Sequence, residues 1–164
     1  MAAEMAQRWP SVLWIVRHGQ SAGNVAADLA EKAEDLVIGV VDRDADVPLS
    51  PLGERQSHAL GRWFAKMEAN ERPTAILASP YLRARGTAAI VAEELDGALD
   101  LVADERLRER ELGAFDRLTR KGWSERFPEQ AELRAKLGKF YHRPPGGESW
   151  CDVVLRLRTL LQDI

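Results

Sequence analysis

Residues 12–21 of the chain read VLWIVRHGQS, a run of five apolar residues that leads directly into Arg17, His18 and Gly19. An unbroken apolar run rich in β-branched residues is typical of a strand covered on both faces, as in a parallel α/β sheet. Ligands of such sheets bind beyond the carboxyl ends of the strands. The stretch therefore predicts a strand over residues 12–16 that ends in a basic, anion-binding pocket. An Arg-His pair alone is more often a surface charge beside a packed histidine, so this hypothesis needs support from the rest of the chain.

The composition is typical of one globular domain over residues 1–164. Apolar residues make up 45% of the chain and charged residues 30%, and the formal net charge of −3 gives no reason to expect nucleic acid as a partner. The N-terminal region contains only the short apolar run, which cannot form a signal-peptide core or a membrane span, so a cytoplasmic protein with no membrane partner is predicted. The single cysteine, Cys151, lies among the apolar positions of a predicted helix, which indicates a buried structural thiol.

Apolar spacing and turn residues divide the chain into alternating strands and helices. Helices are predicted over residues 21–32, 50–67, 82–95, 119–142 (as one helix or two) and from 149 onward. Besides the opening stretch, strands are predicted over 74–79 and 101–103. Residues 34–47 lose this periodicity and are predicted to form a loop on the side of His18, with a lid as one interpretation.

The alternation of strands and helices predicts an α/β fold, built as a three-layer α/β/α sandwich with a mostly parallel central sheet. Its last helix begins at Ser149, which forms a capping-box pattern with Asp152, and reaches Ile164 without a C-cap glycine or a basic final turn. Helices normally end with such signals. The pattern predicts that the natural chain continues beyond Ile164.

Four sequence blocks resemble the histidine phosphatase family, also called the phosphoglycerate mutase-like family. They are RHGQSAGN at 17–24, PLSPLGERQ at 48–56, SPYLRARGTA at 79–88, and RERELGAFDRLT at 108–119 followed by PPGGES at 144–149. Each block coincides with a predicted strand end, helix start or turn, and together they are far more specific than an isolated RHG. The resemblance implies a phosphoglycerate mutase-like fold.

The resemblance also implies a set of site residues. His18 is similar to the phosphorylated nucleophile of the family and Glu109 to the proton donor for the leaving group. The implied phosphate and substrate contacts are Arg17, Arg83, Asn24, Gln20, Ser21 and Arg110. The chemistry suits these residue types, because a neutral imidazole can attack phosphorus and fixed guanidinium groups can stabilise charge on the transferred phosphoryl oxygens. No metal ion or other cofactor is expected.

The chain departs from the family in lacking a recognisable second catalytic histidine. His58 lies within a predicted helix and is interpreted as a solvated surface residue, while His142 precedes the PPGG turn and is interpreted as a loop residue. In the family this second histidine is a hydrogen-bond donor to the phosphoryl group. Its absence is expected to slow turnover by about 10²–10³ while leaving phosphate binding possible. His142 is the first candidate to replace it.

The leading functional hypothesis is a phosphomonoesterase that hydrolyses small phosphorylated metabolites through a phosphohistidine. A phosphoglycerate mutase-type transferase is the alternative, although the short connection between residues 113 and 146 is more similar to the phosphatase branch. A non-catalytic phosphate-binding or interaction protein is the alternative from a different class. Phosphate or sulfate is expected to bind at the end of the first strand, and an exposed sheet edge leaves an oligomer open.

Overall fold

The computed structural model describes residues 9–97 and 99–164, in which six α-helices follow the predicted order. They are α1 (Ala22–Lys32), α2 (Pro51–Ala65), α3 (Leu82–Glu94), α4 (Arg120–Arg126), α5 (Pro128–Tyr141) and α6 (Trp150–Asp163). Single 3₁₀ turns occur at Asp44–Asp46, Glu105–Leu107 and Gly113–Phe115. None of the helices in the described ranges combines the length and the apolar character that crossing a membrane requires.

Local capping interactions explain where most of these helices begin. Ser21 caps α1 and Ser149 caps α6, each within a complete capping box. Ser50 accepts a hydrogen bond at the start of α2, which also carries proline at its first position. Thr119 caps α4 in the same way. These contacts satisfy backbone N–H groups that have no partner inside the helix, so the predicted starts are confirmed.

The described sheet contains two parallel strands, β1 (Ala75–Ala78) and β2 (Asp100–Ala103). Ala75 is in register with Asp100 and Ala78 with Ala103, and α3 forms the connection between the strands. Both strands were predicted from short apolar runs. The mixed α/β class and the parallel pairing are confirmed.

The strand predicted over residues 12–16 is wrong in the described structure, because these residues form no ladder with another strand. A strand needs a hydrogen-bonded partner, and the described edge of β1 pairs only with β2. Their apolar side chains are exposed, with Ile15 at 91%. Trp14 is the best anchored of them, since its ring meets Trp63 and Phe64 edge-on at 5.6 and 5.5 Å.

The compact apolar core lies between α2 and α3. Phe64 of α2 packs with Val91 and Leu95 at the C-terminal end of α3, and partly buried neighbours that include Ile76 of β1 surround this cluster. The β1–α3–β2 unit is thereby fixed to α2. The N-terminal end of α2 and the middle of α3 both approach Gly19, and this places the RHG segment against the rigid part of the fold.

Candidate functional site

The residues singled out by the sequence converge on one open cleft of about 280 Å³. Of the eight predicted site residues, seven line it: Arg17, His18, Ser21, Asn24, Arg83, Glu109 and Arg110. They come from the segment before α1, from α1, from the start of α3 and from the loop after β2. The loop predicted over 34–47 lies on the same side and contributes Ile38, Val40, Asp42, Asp44 and Val47.

Two glycines allow the RHG segment to cross the start of α2 at very close range. A Cβ atom on Gly19 would lie 2.3 Å from the carbonyl oxygen of Gly53, and one on Gly53 would lie 2.0 Å from that of Gln20. No side chain fits at either position. The Gly19 N–H also donates to the buried hydroxyl of Thr87 on α3 (3.1 Å). These contacts hold the residue next to His18 between α2 and α3.

The imidazole of His18 is oriented by its own neighbour. Its Nδ1 lies 2.6 Å from the carbonyl oxygen of Gly19. Because a carbonyl oxygen only accepts, Nδ1 must carry the hydrogen, and in the neutral ring Nε2 then carries the lone pair. Nε2 has no hydrogen-bond partner among the described residues, so it is the atom available for nucleophilic attack.

Asn24 and Arg17 offer further donors around His18. The side-chain oxygen of Asn24 accepts from the Ser21 backbone N–H (3.0 Å), which leaves the Asn24 amide NH₂ available. The guanidinium of Arg17 is exposed and forms no ion pair or hydrogen bond within the described part of the chain. Both groups can therefore donate to an anion without breaking an existing contact.

Unlike Arg17, Arg83 is already paired with an acidic residue. Its side chain is only 6% exposed and forms a bidentate ion pair with Asp44, with Nη1 to Oδ1 at 2.9 Å and Nη2 to Oδ2 at 3.1 Å. The guanidinium also donates to the Asp44 backbone oxygen and lies over the Tyr81 ring at 5.0 Å. The Asp44–Asp46 turn thus covers the arginine at the cleft wall.

Glu109 lies on a loop that the PPGGES turn holds in place. Glu148 of that turn accepts hydrogen bonds from the guanidinium groups of Arg108 and Arg156 and from the Glu111 backbone N–H. The Glu148 N–H in turn donates to the Glu111 oxygen (2.8 Å). Burial alone would raise the pKa of Glu148, but the hydrogen bond from Arg156, that from the Glu111 N–H and the charges of Arg156 and Arg108 lower it overall. Glu148 is therefore an ionised anchor for the Glu109 loop.

Sequence reasoning missed Asp44, Glu148 and Arg156 as residues that shape the site. The PPGGES block could have indicated Glu148, since an acidic residue in a rigid turn can pair with arginines of a neighbouring charged loop. Arg156 is hidden in a helix pattern, where a polar position normally faces solvent. Asp44 lies in a segment without periodicity, and nothing in its local sequence indicates Arg83 as its partner.

Four other predicted residues have different surroundings from those expected. Gln20 does not line the cleft, because its side-chain oxygen accepts from the Ser50 hydroxyl (2.7 Å) at the start of α2. His58 is partly exposed but pairs with Glu94 (2.8 Å). His142 lies in the loop after α5, as expected, but it is only 2% exposed and stacks on Phe115. Cys151 is half-buried rather than fully buried.

Four arginines and five carboxylates line the cleft. The described residues contain no group of three His, Cys, Asp or Glu side chains arranged to hold a metal ion. The lining includes the imidazole of His18, the guanidinium groups of Arg17 and Arg83, the amide of Asn24 and the carboxyl group of Glu109. Such a set can bind a phosphoryl group, accept it covalently and move one proton to or from an oxygen beside it.

Comparison with known proteins matches residues 13–164 to the model of the histidine phosphatase superfamily (branch 1). The chain is 34% identical over 153 residues to a bifunctional protein of Mycobacterium tuberculosis, a match that covers 93% of the chain and 37% of that protein. It is 30% identical over 154 residues to a probable fructose-2,6-bisphosphatase of Schizosaccharomyces pombe, covering 93% of the chain and 32% of the relative.

A solved structure shows the same fold. The mycobacterial glucosyl-3-phosphoglycerate phosphatase, solved with VO₃, superimposes with a TM-score of 0.66 at 30% identity, covering 90% of this chain and 63% of that one. The fold class predicted from the sequence is thus confirmed. The chain spans about a third of the length of these two curated relatives.

Proposed function

The chain belongs to the histidine phosphatase superfamily, and on that premise we propose that it hydrolyses small phosphomonoesters through a phosphohistidine at His18. The observation that carries the proposal is the orientation of the imidazole. Its Nδ1 is fixed to the Gly19 oxygen, and its Nε2 is free in a cleft lined by Arg17, Arg83 and Asn24.

In the first step, the lone pair of His18 Nε2 attacks phosphorus and the bond between phosphorus and the ester oxygen breaks. The leaving oxygen takes a proton from the carboxyl group of Glu109, which must be protonated at this point. Arg17 and the Asn24 amide donate to the equatorial phosphoryl oxygens, where charge is spread in the transition state. Arg83 joins them once the Asp44 carboxylate moves away from its guanidinium.

In the second step, a water molecule attacks phosphorus and the bond between phosphorus and Nε2 breaks. The proton released by the water goes to the Glu109 carboxylate, so the acid and the neutral imidazole are both restored. The products are the alcohol and inorganic phosphate.

The proposal is tested by trapping the phosphoenzyme with a radiolabelled phosphomonoester. We expect an acid-labile, base-stable label on the wild-type chain and none on His18→Ala, because Nε2 of His18 is the attacking atom. His58→Ala is the matched control, since His58 of α2 pairs with Glu94 of α3 and lies outside the cleft, and it should label normally. Label retained by His18→Ala would overturn the assignment. Release of an isomeric phosphate ester in place of inorganic phosphate would indicate a mutase.

A further inference from the structure

Arg156, on α6, contacts the loop that carries Glu109 but does not line the cleft that contains His18. Its side chain is largely buried, at 12% exposed. Nε and Nη2 each donate to one carboxylate oxygen of Glu148, both at 3.1 Å. Nη1 donates to the backbone oxygen of Arg106, and Nη2 also donates to that of Glu109 (3.4 Å). One guanidinium thus joins α6 to the PPGGES turn and to two points of the loop after β2.

Glu148 transmits this constraint to both sides of Glu109. Its Oε1 accepts from Nη2 of Arg108 (2.5 Å), and its Oε2 accepts from the Glu111 backbone N–H (3.1 Å). The Glu148 N–H donates in return to the Glu111 oxygen (2.8 Å). Hydrogen bonds to ionised groups are shorter and stronger than those between neutral groups. The backbone is therefore held one residue before Glu109 and two residues after it.

The carboxyl group of Glu109 is oriented from within this held stretch. Its Oε1 accepts from the backbone N–H of Arg110 (2.9 Å). A protonated carboxyl group carries its hydrogen on one oxygen only, and the oxygen that accepts the Arg110 bond is the one without it. The proton of the acid therefore resides on Oε2. This oxygen has no hydrogen-bond partner among the described residues, so it is the one available to the substrate.

We propose that Arg156 is a positioning residue for the general acid, because through Glu148 it fixes the backbone that directs Glu109 Oε2 toward the leaving oxygen. This inference rests on the proposed phosphatase function and adds the residue that sets the geometry of its proton transfer. The proton passes from Oε2 to the ester oxygen as the bond from that oxygen to phosphorus breaks. Arg156 itself touches neither group.

The conservative substitution Arg156→Lys separates charge from geometry. An ammonium group keeps the positive charge but lacks the planar fork that binds both carboxylate oxygens of Glu148. It cannot replace the guanidinium bonds to the Arg106 and Glu109 backbone oxygens at the same time. The variant should therefore keep the charge balance of α6 while it loosens the loop that carries Glu109.

The test compares two substrates whose leaving groups differ in their need for a proton. The alcohol of glycerol 3-phosphate must be protonated as it departs, whereas p-nitrophenolate leaves as a stable anion. The measured quantity is kcat/KM, which covers the steps up to departure of the leaving group and omits the later attack of water. We expect Arg156→Lys to lower kcat/KM by about 10²-fold for glycerol 3-phosphate, the scale of a misplaced catalytic group, and by less than about threefold for p-nitrophenyl phosphate.

The ratio of the two values does not depend on the fraction of folded protein, because an unfolded share lowers both equally. Arg158→Lys is the matched control, since Arg158 lies on the same helix and its exposed guanidinium forms no hydrogen bond or ion pair with a described residue. It should leave the ratio unchanged. An unchanged ratio in Arg156→Lys, with hydrolysis by the wild-type chain intact, would overturn the proposal.

A double variant shows whether Arg156 acts through Glu109. Glu109→Gln has no acidic proton to give, so adding Arg156→Lys to it should lower kcat/KM for glycerol 3-phosphate by less than about twofold further. If the two losses multiply in full, Arg156 affects catalysis by a route that does not include Glu109, and the positioning role is excluded.

Hydrogen exchange of the Arg110 and Glu111 amides, followed by NMR, gives a readout besides activity. Both N–H groups donate within this arrangement, so their exchange should be about tenfold faster in Arg156→Lys and unchanged in Arg158→Lys. Unchanged exchange in Arg156→Lys would contradict the proposal. Absence of hydrolysis by the wild-type chain, together with faster exchange in Arg156→Lys, would remove the phosphatase function and leave Arg156 as the residue that fixes Glu109.

Discussion

In the ion pair between Asp44 and Arg83, the Asp44 carboxylate binds the guanidinium group that a phosphoryl group in the cleft would also need. Both terminal nitrogens of Arg83 are engaged, and the side chain is almost completely buried. A carboxylate and a phosphoryl group present similar paired oxygens to arginine. Asp44 is therefore a competitor for the anion that the cleft is proposed to bind.

Replacing Asp44 by alanine is expected to tighten phosphate binding by roughly five- to tenfold, since displacing a partly exposed ion pair costs about 1 kcal/mol. The dissociation constant of inorganic phosphate, from phosphate-dependent melting, measures the effect. Asp46→Ala is the control, because Asp46 belongs to the same turn but pairs with exposed Arg43 outside the cleft. Weaker binding in Asp44→Ala would mean that Asp44 positions Arg83 and does not compete.

At the scale of elements, the loop that carries Glu109 and the PPGG turn are fitted backbone to backbone. Gly113 has a φ of +54°, and a Cβ atom there would lie 2.2 Å from the Pro145 oxygen. The Ala114 N–H donates to the same oxygen (2.9 Å). This contact leaves no space for a side chain.

Gly113→Ala should destabilise the fold at least twice as much as Gly97→Ala. Both glycines have positive φ, which costs an alanine about 1–2 kcal/mol, but a Cβ on Gly97 meets nothing within 4 Å. The difference in free energy of unfolding, from denaturant melts of the two variants, isolates the backbone contact from the strain. Equal losses would show that the turn moves freely away from the Glu109 loop.

Elements were predictable wherever the signal is local. The caps at Ser21, Ser50 and Ser149 bond three residues along the chain, so the sequence contains both partners. The Asp44–Arg83 pair spans 39 residues and the Arg108–Glu148 pair spans 40, and no pattern of spacing encodes either. The opening strand failed for a related reason, because an apolar run specifies a tendency to extend and not the neighbour that it pairs with.

For the molecule as a whole, the burial of His142 links stability to pH. Its pKa lies below the ordinary value of about 6.5 in the folded chain, because burial and the charges of Arg134 and Arg110 disfavour the imidazolium. As the pH falls below about 6.5, the unfolded chain takes up the proton first, so stability decreases with falling pH until the folded pKa is passed.

His142→Gln should therefore show a smaller drop in Tm between pH 7 and pH 5 than the wild-type chain. Ion-paired carboxylates such as Glu148 also stabilise the fold less at acidic pH, because their pKa is lowered in the folded chain. Both proteins share this effect, so the difference between their Tm changes reports on His142. His58→Gln serves as the control for a partly exposed histidine outside this buried stack. A drop of the same size in His142→Gln and in the wild type would remove His142 from the pH response.

The contacts of Arg110 and Arg134 with indole rings have an optical consequence. Trp123 and Trp150 lie beneath Arg134 and Arg110, so an anion that draws either guanidinium away from its ring changes the electric field that the excited indole experiences. Trp14 and Trp63 pack against Phe64 in edge-on and tilted arrangements between α2 and the N-terminal segment, away from these arginines. We therefore expect an anion that binds Arg110 or Arg134 to change the intrinsic fluorescence of the chain, so that no added dye is needed to detect it.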